Sequence, residues 1–212
     1  MDQTMSLLDL FEMGGPFMWP LLVFSVVTIA LILERAVYLA MHDLRVRDIA
    51  EAIVQLLRSD GLDAARTYCA GLSKRRGARG VFCEILEHAG MGEHRMEKAA
   101  EAEGNERVRS LENGFNFLQA LAGIAPLCGF LGTVSGMIGA FRSIAQADQV
   151  NAQLVAHGIY EALITTVYGL IIAIIALTGV NILMHIVDSF AAHVEKAVSD
   201  VITTIMIDKE KR

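Results

Sequence analysis

Three long uncharged apolar runs constrain this chain more than any other feature of its sequence. They extend from Met13 to Leu33, from Asn116 to Phe141 and from Ala162 to Val187. Each run exceeds the roughly 20 residues that a helix needs to cross about 30 Å of hydrocarbon. Three buried helices of this length are not expected in a soluble domain of 212 residues. The sequence therefore predicts an all-α integral membrane protein with three transmembrane helices and long helical cytoplasmic extensions.

The distribution of basic residues predicts how these helices are oriented. No Lys or Arg precedes Arg35, and none lies between Arg142 and Lys196, whereas the segment 41–115 carries twelve. Because cytoplasmic segments carry the excess of Lys and Arg, this segment and the C-terminus are expected in the cytoplasm. The N-terminus is then expected on the outer face of the membrane.

These two patterns divide the chain into segments. In chain order they are an outer-face amphipathic segment (1–15), transmembrane helix 1 (16–40), a cytoplasmic helical domain (41–115), transmembrane helix 2 (116–142), a short periplasmic loop (143–155), transmembrane helix 3 (156–187) and a cytoplasmic C-terminal tail (188–212). The amphipathic segment is expected to lie on the outer interface near Trp19, and a frayed terminus is the alternative.

The cytoplasmic segment has the apolar periodicity of helices. Apolar residues recur at helical spacing from Val46 to Leu57, and Asp60 and Gly61 then interrupt the pattern. A second helix is expected to end near Cys69. From Glu93 onward we find no proline before Pro126, so the second transmembrane helix is expected to continue into this segment as one long helix.

The sequence does not predict a metal site or an enzyme. The six histidines lack the spacing of metal ligands, and we find no phosphate-binding glycine loop and no constellation around a nucleophile. Cys69 and Cys83 lie in the segment assigned to the cytoplasm and Cys128 in the second apolar run, so all three are expected as reduced thiols. No cofactor and no nucleic acid partner is expected.

Glu161 stands at the head of the third apolar run, which carries no further formal charge before Asp188. A charged residue near the centre of a bilayer costs roughly 2.5–3.5 kcal/mol, so such a residue is by default a candidate for an ion pathway. Thr165 follows on the same helical face, and Thr166 lies about 140° away from Glu161. A carboxylate in the outer interface, where it costs little, is the alternative.

Glycines recur at intervals of three and four residues in the second apolar run. Gly129, Gly132, Gly136 and Gly139 leave one side of that helix without bulk, so another helix can approach it closely. Thr133 adds a hydroxyl to the same stretch, and this hydroxyl either contributes to a polar pathway or bonds to a carbonyl of its own helix.

These residues resemble a known family. The second run, with Gly129-Phe-Leu-Gly-Thr-Val-Ser-Gly136, is similar to one of two signature helices of the MotA/TolQ/ExbB proton-channel family. The third run, with Gly158-Ile-Tyr-Glu-Ala-Leu-Ile-Thr-Thr-Val-Tyr-Gly-Leu170 and the later Asn181, is similar to the other. The likeness is closest to ExbB/TolQ-type biopolymer transport proteins and extends over essentially the whole chain.

The resemblance implies a function and a set of partners. Family members form a homo-oligomeric ring, typically a pentamer, in the bacterial inner membrane around a single-span ExbD/TolR-type partner. A TonB/TolA-type protein is a further implied partner. Carried over by motif, the ion pathway comprises Glu161, Thr133 and Thr166, while the aspartate that accepts the proton belongs to the partner.

Several functions remain open at this point. An ExbB-like subunit that energises transport at the outer membrane leads a TolQ-like subunit for envelope maintenance, and a non-conducting membrane scaffold is the third alternative. A carboxylate and hydroxyls suit either a proton or a sodium pathway. The chain departs from the family pattern at His157 and Ile175, where the family often has proline, so a straighter third helix is expected.

Overall fold

The computed structural model describes residues 11–73, 75–146 and 152–211, and these are almost entirely helical. The helices are α1 (Met18–Met41), α2 (Arg47–Ser59), α3 (Leu62–Gly71), α4 (Arg79–Glu87), α5 (Glu93–Leu111), α6 (Phe115–Gln146) and α7 (Ala152–Lys211). Among the described residues, α1, α6 and α7 are long and apolar enough to cross a membrane. The predicted all-α fold with three membrane-length helices and long helical extensions is confirmed.

The chain divides into two compact units. The first unit contains Met1–Glu34 and Gly114–Asn181, so it includes α6 and the N-terminal parts of α1 and α7. The second unit contains Arg35–Asn113 and Ile182–Arg212, with the shorter helices and the C-terminal parts of α1 and α7.

In the first unit, α6 and α7 pack so closely that glycine is required on both helices. A Cβ on Gly129 would lie 2.7 Å from the backbone oxygen of Thr165, and one on Gly169 would lie 2.6 Å from that of Ala125. Real Cβ atoms do not approach backbone atoms so closely, so the glycines allow backbone-to-backbone packing. The pairing order shows that these two helices run antiparallel.

Helix α1 packs against α7 in the same unit. Met18 and Leu21 of α1 share a buried cluster with Ile164 and Ile172 of α7. Close van der Waals packing holds such helices together in a lipid bilayer, because the lipid hydrocarbon provides no hydrophobic driving force between them.

The second unit has a core built from the apolar faces of amphipathic helices. Ile49, Ile53 and Leu57 are buried on one face of α2, as their spacing predicts, and Gly61 with φ +86° ends that pattern. The remaining core comes from the apolar faces of the other helices, including Phe82, Ile85, Met96, Leu111, Phe190 and Val201.

The prediction of one uninterrupted helix from Glu93 into the second apolar run is wrong. Helix α5 ends at Leu111, and α6 begins at Phe115 after a turn in which Gly114 adopts φ +88°. Asn113 and Gly114 form a turn dipeptide, a signal that outweighs the absence of proline.

The helices also extend beyond the predicted segment boundaries. Helix α6 continues to Gln146, and α7 begins at Ala152. Both helices therefore overlap the segment 143–155, which the sequence predicts as a loop. The segment 188–212, expected as a tail, is helical as far as Lys211. Helix α7 is also continuous through Ile175, as expected without proline. Where the membrane begins and ends along these helices stays a prediction, as does the amphipathic segment, most of which lies outside the described residues.

The expectation of reduced thiols is wrong for two of the three cysteines. Cys69 on α3 and Cys83 on α4 form a disulfide, with their Cα atoms 5.8 Å apart. That separation is typical of disulfides, but it depends on how α3 and α4 pack, which the sequence spacing does not reveal. Cys128 is a free thiol.

Candidate functional site

Thr165 is the most deeply buried polar residue at the contact between α6 and α7. It is 1% exposed, and its hydroxyl lies 2.8 Å from the carbonyl oxygen of Ala162 and 3.2 Å from that of Gly129. A hydroxyl has one proton to donate, so Thr165 shares it between its own helix and α6.

Thr166 reaches the same acceptor. Its hydroxyl lies 3.2 Å from the carbonyl oxygen of Gly129, so two neighbouring hydroxyls of α7 converge on one carbonyl of α6. Thr166 thus turns toward the second apolar helix of its own chain, one of the two directions open to a residue about 140° from Glu161. We call Thr165, Thr166 and the Gly129 carbonyl the hydroxyl cluster.

Glycines of α6 create the space for this cluster. A Cβ on Gly132 would lie 2.6 Å from the Cβ of Thr165, so the Thr165 side chain occupies the hollow that Gly132 leaves. A Cβ on Gly136 would lie 3.1 Å from the carbonyl oxygen of Gly158, which continues the close contact. Gly139 differs, because a Cβ there would meet nothing within 4 Å.

Thr133 is bonded within its own helix. Its hydroxyl donates to the carbonyl oxygen of Phe130 at 2.6 Å, and the side chain is half-buried. This geometry is the structural alternative that the sequence left open, since a threonine hydroxyl often satisfies itself on a preceding carbonyl. The structure brings Thr166 and Gly129 together and leaves Thr133 bonded locally.

Glu161 is half-buried on α7, one helical turn before the hydroxyl cluster. Its Oε1 lies so close to Gly15 that a Cβ on residue 15 would overlap it. The four residues from Glu161 to Thr165 correspond to about 6 Å along the helix axis. The carboxylate and the Thr165 hydroxyl therefore follow one another along a single helical face.

Two features of the site are absent from the site predicted from the sequence. Thr165 shares the predicted face of Glu161 but is not one of the predicted pathway residues, although the Thr165-Thr166 pair is a usable signal. The contact of Gly15 with Glu161 joins residues far apart in the chain, and in the sequence the adjacent Gly14, Gly15 and Pro16 are a signal only for a turn.

The arrangement can transfer or hold a small cation. Carboxylate and hydroxyl oxygens accept protons and bind hard cations, and hydroxyls also donate. Among the residues that the structure describes, we find no group of three or more His, Cys, Asp or Glu side chains that could hold a metal ion. The chemistry on this face is therefore that of a carboxylate followed by hydroxyl and carbonyl oxygens.

Comparison with known proteins identifies the family. A sequence model of the MotA/TolQ/ExbB proton channel family matches residues 69–196, which include Glu161 and the whole hydroxyl cluster. The matched range also covers both apolar runs that carry the resemblance in the sequence.

Relatives with known names agree with this match. The chain is 32% identical to the ExbB-like 1 biopolymer transport protein of Synechocystis sp. over 204 residues, covering 91% of this chain and 78% of the relative. It is 29% identical to the biopolymer transport protein ExbB of Salmonella typhimurium over 188 residues, covering 81% and 73%. It is 36% identical to the Tol-Pal system protein TolQ of Haemophilus influenzae over 125 residues, covering 58% and 54%.

The family match covers more than half of the chain, and the apolar helices that carry it are long enough to span a membrane. Two of the three membrane-length helices, α6 and α7, lie in or overlap the matched range, as do the glycine-mediated contact between them and the polar face of α7, whereas α1 precedes it. The chain belongs to the MotA/TolQ/ExbB proton channel family of membrane transport proteins.

Proposed function

We propose that this chain is a ring-forming subunit of an ExbB-like motor complex in the bacterial inner membrane, which couples an ion gradient to energised transport at the outer membrane. The observation that carries the proposal is the hydroxyl cluster, whose two threonines follow Glu161 by about one turn of α7, inside the part of the chain that matches the proton channel family. Coverage of 78% of an ExbB-like relative supports the ExbB assignment.

In this proposal Glu161 receives the ion and passes it along the face of α7. Thr166 and Thr165 lie one turn further, where their hydroxyl oxygens are held at the Gly129 carbonyl. Thr133 stays a proposed pathway residue, although its hydroxyl is engaged within α6. The exchangeable aspartate is supplied by a single-span ExbD/TolR-type partner inside the ring.

The surface of the first unit suits a ring in a lipid bilayer. Large apolar side chains are exposed on all three membrane-length helices, among them Val26, Phe130, Ile138 and Ile174. Exposed apolar area on this scale needs lipid, neighbouring subunits or a partner helix to cover it. We propose a homo-oligomer, in the form of a pentamer, with the N-terminus in the periplasm and the C-terminus in the cytoplasm.

The proposal is tested with Glu161→Gln expressed together with an ExbD/TolR-type partner. The substitution keeps the size of the side chain and removes its charge and its exchangeable proton. We expect the complex to assemble and gradient-driven transport to be lost. Glu195→Gln, an exposed glutamate of α7 in the second unit, is the matched control and should transport normally.

A TolQ-like role in envelope maintenance is the second candidate. The observation in its favour is the higher identity to TolQ, 36%, although that match covers only 54% of the relative. Complementation separates the two roles. We expect this chain to restore energised uptake in a strain lacking ExbB and not to restore envelope integrity in a strain lacking TolQ. Restoration of envelope integrity alone would establish the second candidate.

A non-conducting scaffold would use the same helix contacts without ion flow. The argument for a scaffold is that a carboxylate near the end of an apolar run lies close to the membrane surface, where its charge costs little free energy. An assembled complex that carries no ion flux, with the wild-type sequence and a functional partner, would establish the scaffold and overturn the proposed motor.

A further inference from the structure

A short turn precedes α1 and covers part of α7. The N–H of Gly14 donates to the carbonyl oxygen of Phe11 at 3.3 Å, and that of Met18 donates to the oxygen of Gly15 at 3.1 Å. We call Gly14, Gly15 and Pro16 the entry turn. Its bonds tie it both to the residues before it and to the first turn of α1.

The entry turn contacts α7 at Glu161 and Ile164. Oε1 of Glu161 lies on the side of Gly15 where a side chain would begin, and a Cβ on Gly14 would lie 3.3 Å from a methyl group of Ile164. Gly15 also has φ +65°, a conformation that residues with a side chain rarely adopt. Two independent requirements, one of backbone conformation and one of space, therefore coincide at Gly15.

Side chains on both sides hold the entry turn in place. Phe11 and Met13 pack against the buried cluster that contains Met18 and Ile164. The Phe11 ring also meets the Trp19 ring edge to face, with centroids 5.3 Å apart. A turn fixed at both ends cannot move freely away from Glu161, so its contact with the carboxylate restricts the rotamers of that side chain.

We propose that Gly15 is a positioning residue for Glu161, and that the entry turn holds the carboxylate over the face of α7 that leads to Thr165. This inference rests on the proposed function of Glu161 as the ion-accepting group. Gly15 has no side chain to take part in the chemistry. It acts by leaving a space that the carboxylate fills and by covering one side of that carboxylate.

Gly15→Ala tests the proposal in the assembled complex. The added methyl group must displace the Glu161 carboxylate, and misplacement of a reacting group by about 1 Å costs up to roughly a hundredfold in rate. We expect gradient-driven ion flux to fall ten- to a hundredfold, with a shifted pH profile and unchanged assembly. A structural turn alone would leave the pH profile of the flux as it is in the wild type.

A matched control isolates the contact from backbone strain. Gly92 has φ +98°, and a Cβ there would meet nothing within 4 Å. Gly92→Ala therefore adds a methyl group at another glycine with positive φ without touching Glu161, and it should leave the flux and its pH profile unchanged. An equal loss of flux in both variants would overturn the positioning role.

Shortening the carboxylate provides a second check. Glu161→Asp withdraws the carboxylate by one methylene group, which makes room for a methyl group at residue 15. We expect Gly15→Ala to reduce the flux of the Glu161→Asp protein by less than threefold. A loss as large as that in the Glu161 background would contradict direct contact.

A cross-link tests the geometry without any ion flux. In a background with Cys128→Ala, the pair Gly15→Cys and Glu161→Cys should form a disulfide on mild oxidation, detected by peptide mass. The control pair Gly15→Cys and Leu163→Cys should not, because Leu163 is 58% exposed on another face of α7. Failure of the first pair to cross-link overturns the inference. If it cross-links while Glu161→Gln conducts normally, the proposed function of Glu161 fails instead.

Discussion

The Thr166 hydroxyl lies 3.2 Å from the carbonyl oxygen of Gly129, the same oxygen that accepts from Thr165. Two hydroxyls of one helix thus meet a single carbonyl of another at a contact where glycine removes all side-chain bulk. Such bonds between membrane helices contribute about 0.6 kcal/mol on average and up to roughly 1.7 kcal/mol. The cluster therefore contributes to helix packing and also places hydroxyl oxygens about one turn of α7 after Glu161.

Thr166→Ala should separate these two contributions. Thr166 is half-buried, so replacing it with alanine removes one hydroxyl without creating an enclosed cavity. We expect assembly to be normal and gradient-driven flux to fall at least several-fold, measured in vesicles containing the complex. Failure to assemble would favour a packing role for this hydroxyl over a role in the pathway.

Replacing either of two buried threonines of the first unit with valine should affect the stability of the folded protein differently. Thr165 is bonded at both of its acceptors, so Thr165→Val should destabilise the protein by about 1 kcal/mol. Thr28 is 1% exposed, and within the described residues its hydroxyl has no hydrogen-bond partner. An unsatisfied buried hydroxyl costs about 1–3 kcal/mol, so Thr28→Val should be neutral or stabilising.

The midpoint of thermal unfolding in detergent checks this pair. Both substitutions exchange a hydroxyl for a methyl group at a buried position of a membrane-length helix, so each controls for the other. A lower midpoint for both variants would show that Thr28 has a partner within the folded protein.

Gly129→Ala should disturb the contact between α6 and α7. The new Cβ would lie 2.7 Å from the backbone oxygen of Thr165, and overpacking of this kind costs about 1–3 kcal/mol. Gly139→Ala is the matched control on the same helix, because its Cβ would meet nothing within 4 Å. For Gly129→Ala, size-exclusion chromatography should show less assembled complex, and thermal unfolding should show a lower midpoint. Equal losses would indicate that Gly139 lies in a contact between subunits.

Thr133→Ala tests a residue whose hydroxyl is satisfied locally. Because the bond to the Phe130 carbonyl lies within α6, its removal should change the unfolding free energy by less than about 0.5 kcal/mol. As a proposed pathway residue, Thr133 should nevertheless be needed for full flux. Wild-type flux in Thr133→Ala would remove it from the pathway and leave Thr165 and Thr166 as the hydroxyls of the site.

Much of the fold follows from local sequence patterns. The three apolar runs predict the three membrane-length helices because the length of a run directly limits what can cross a bilayer. The spacing of Ile49, Ile53 and Leu57 predicts α2 for a similar reason, since it places these side chains on one face. Both inferences use only neighbouring residues.

The contacts that make the site depend on packing over long sequence separations. Nothing in the spacing of Cys69 and Cys83 indicates their disulfide, and nothing near Glu161 indicates its contact with Gly15. These pairs form only after helices have packed, which sequence periodicity does not describe. The break at Gly114 is different, because its Asn-Gly signal is local and outweighs the absence of proline.

Ion flux through the reconstituted complex tests the central claim most directly. Vesicles containing this chain and an ExbD/TolR-type partner are given an inward proton gradient, and internal pH is followed for the wild type, Glu161→Gln and Glu195→Gln. The account predicts flux in the wild type and in Glu195→Gln, and none above empty vesicles in Glu161→Gln. Wild-type flux through an assembled Glu161→Gln complex would contradict it.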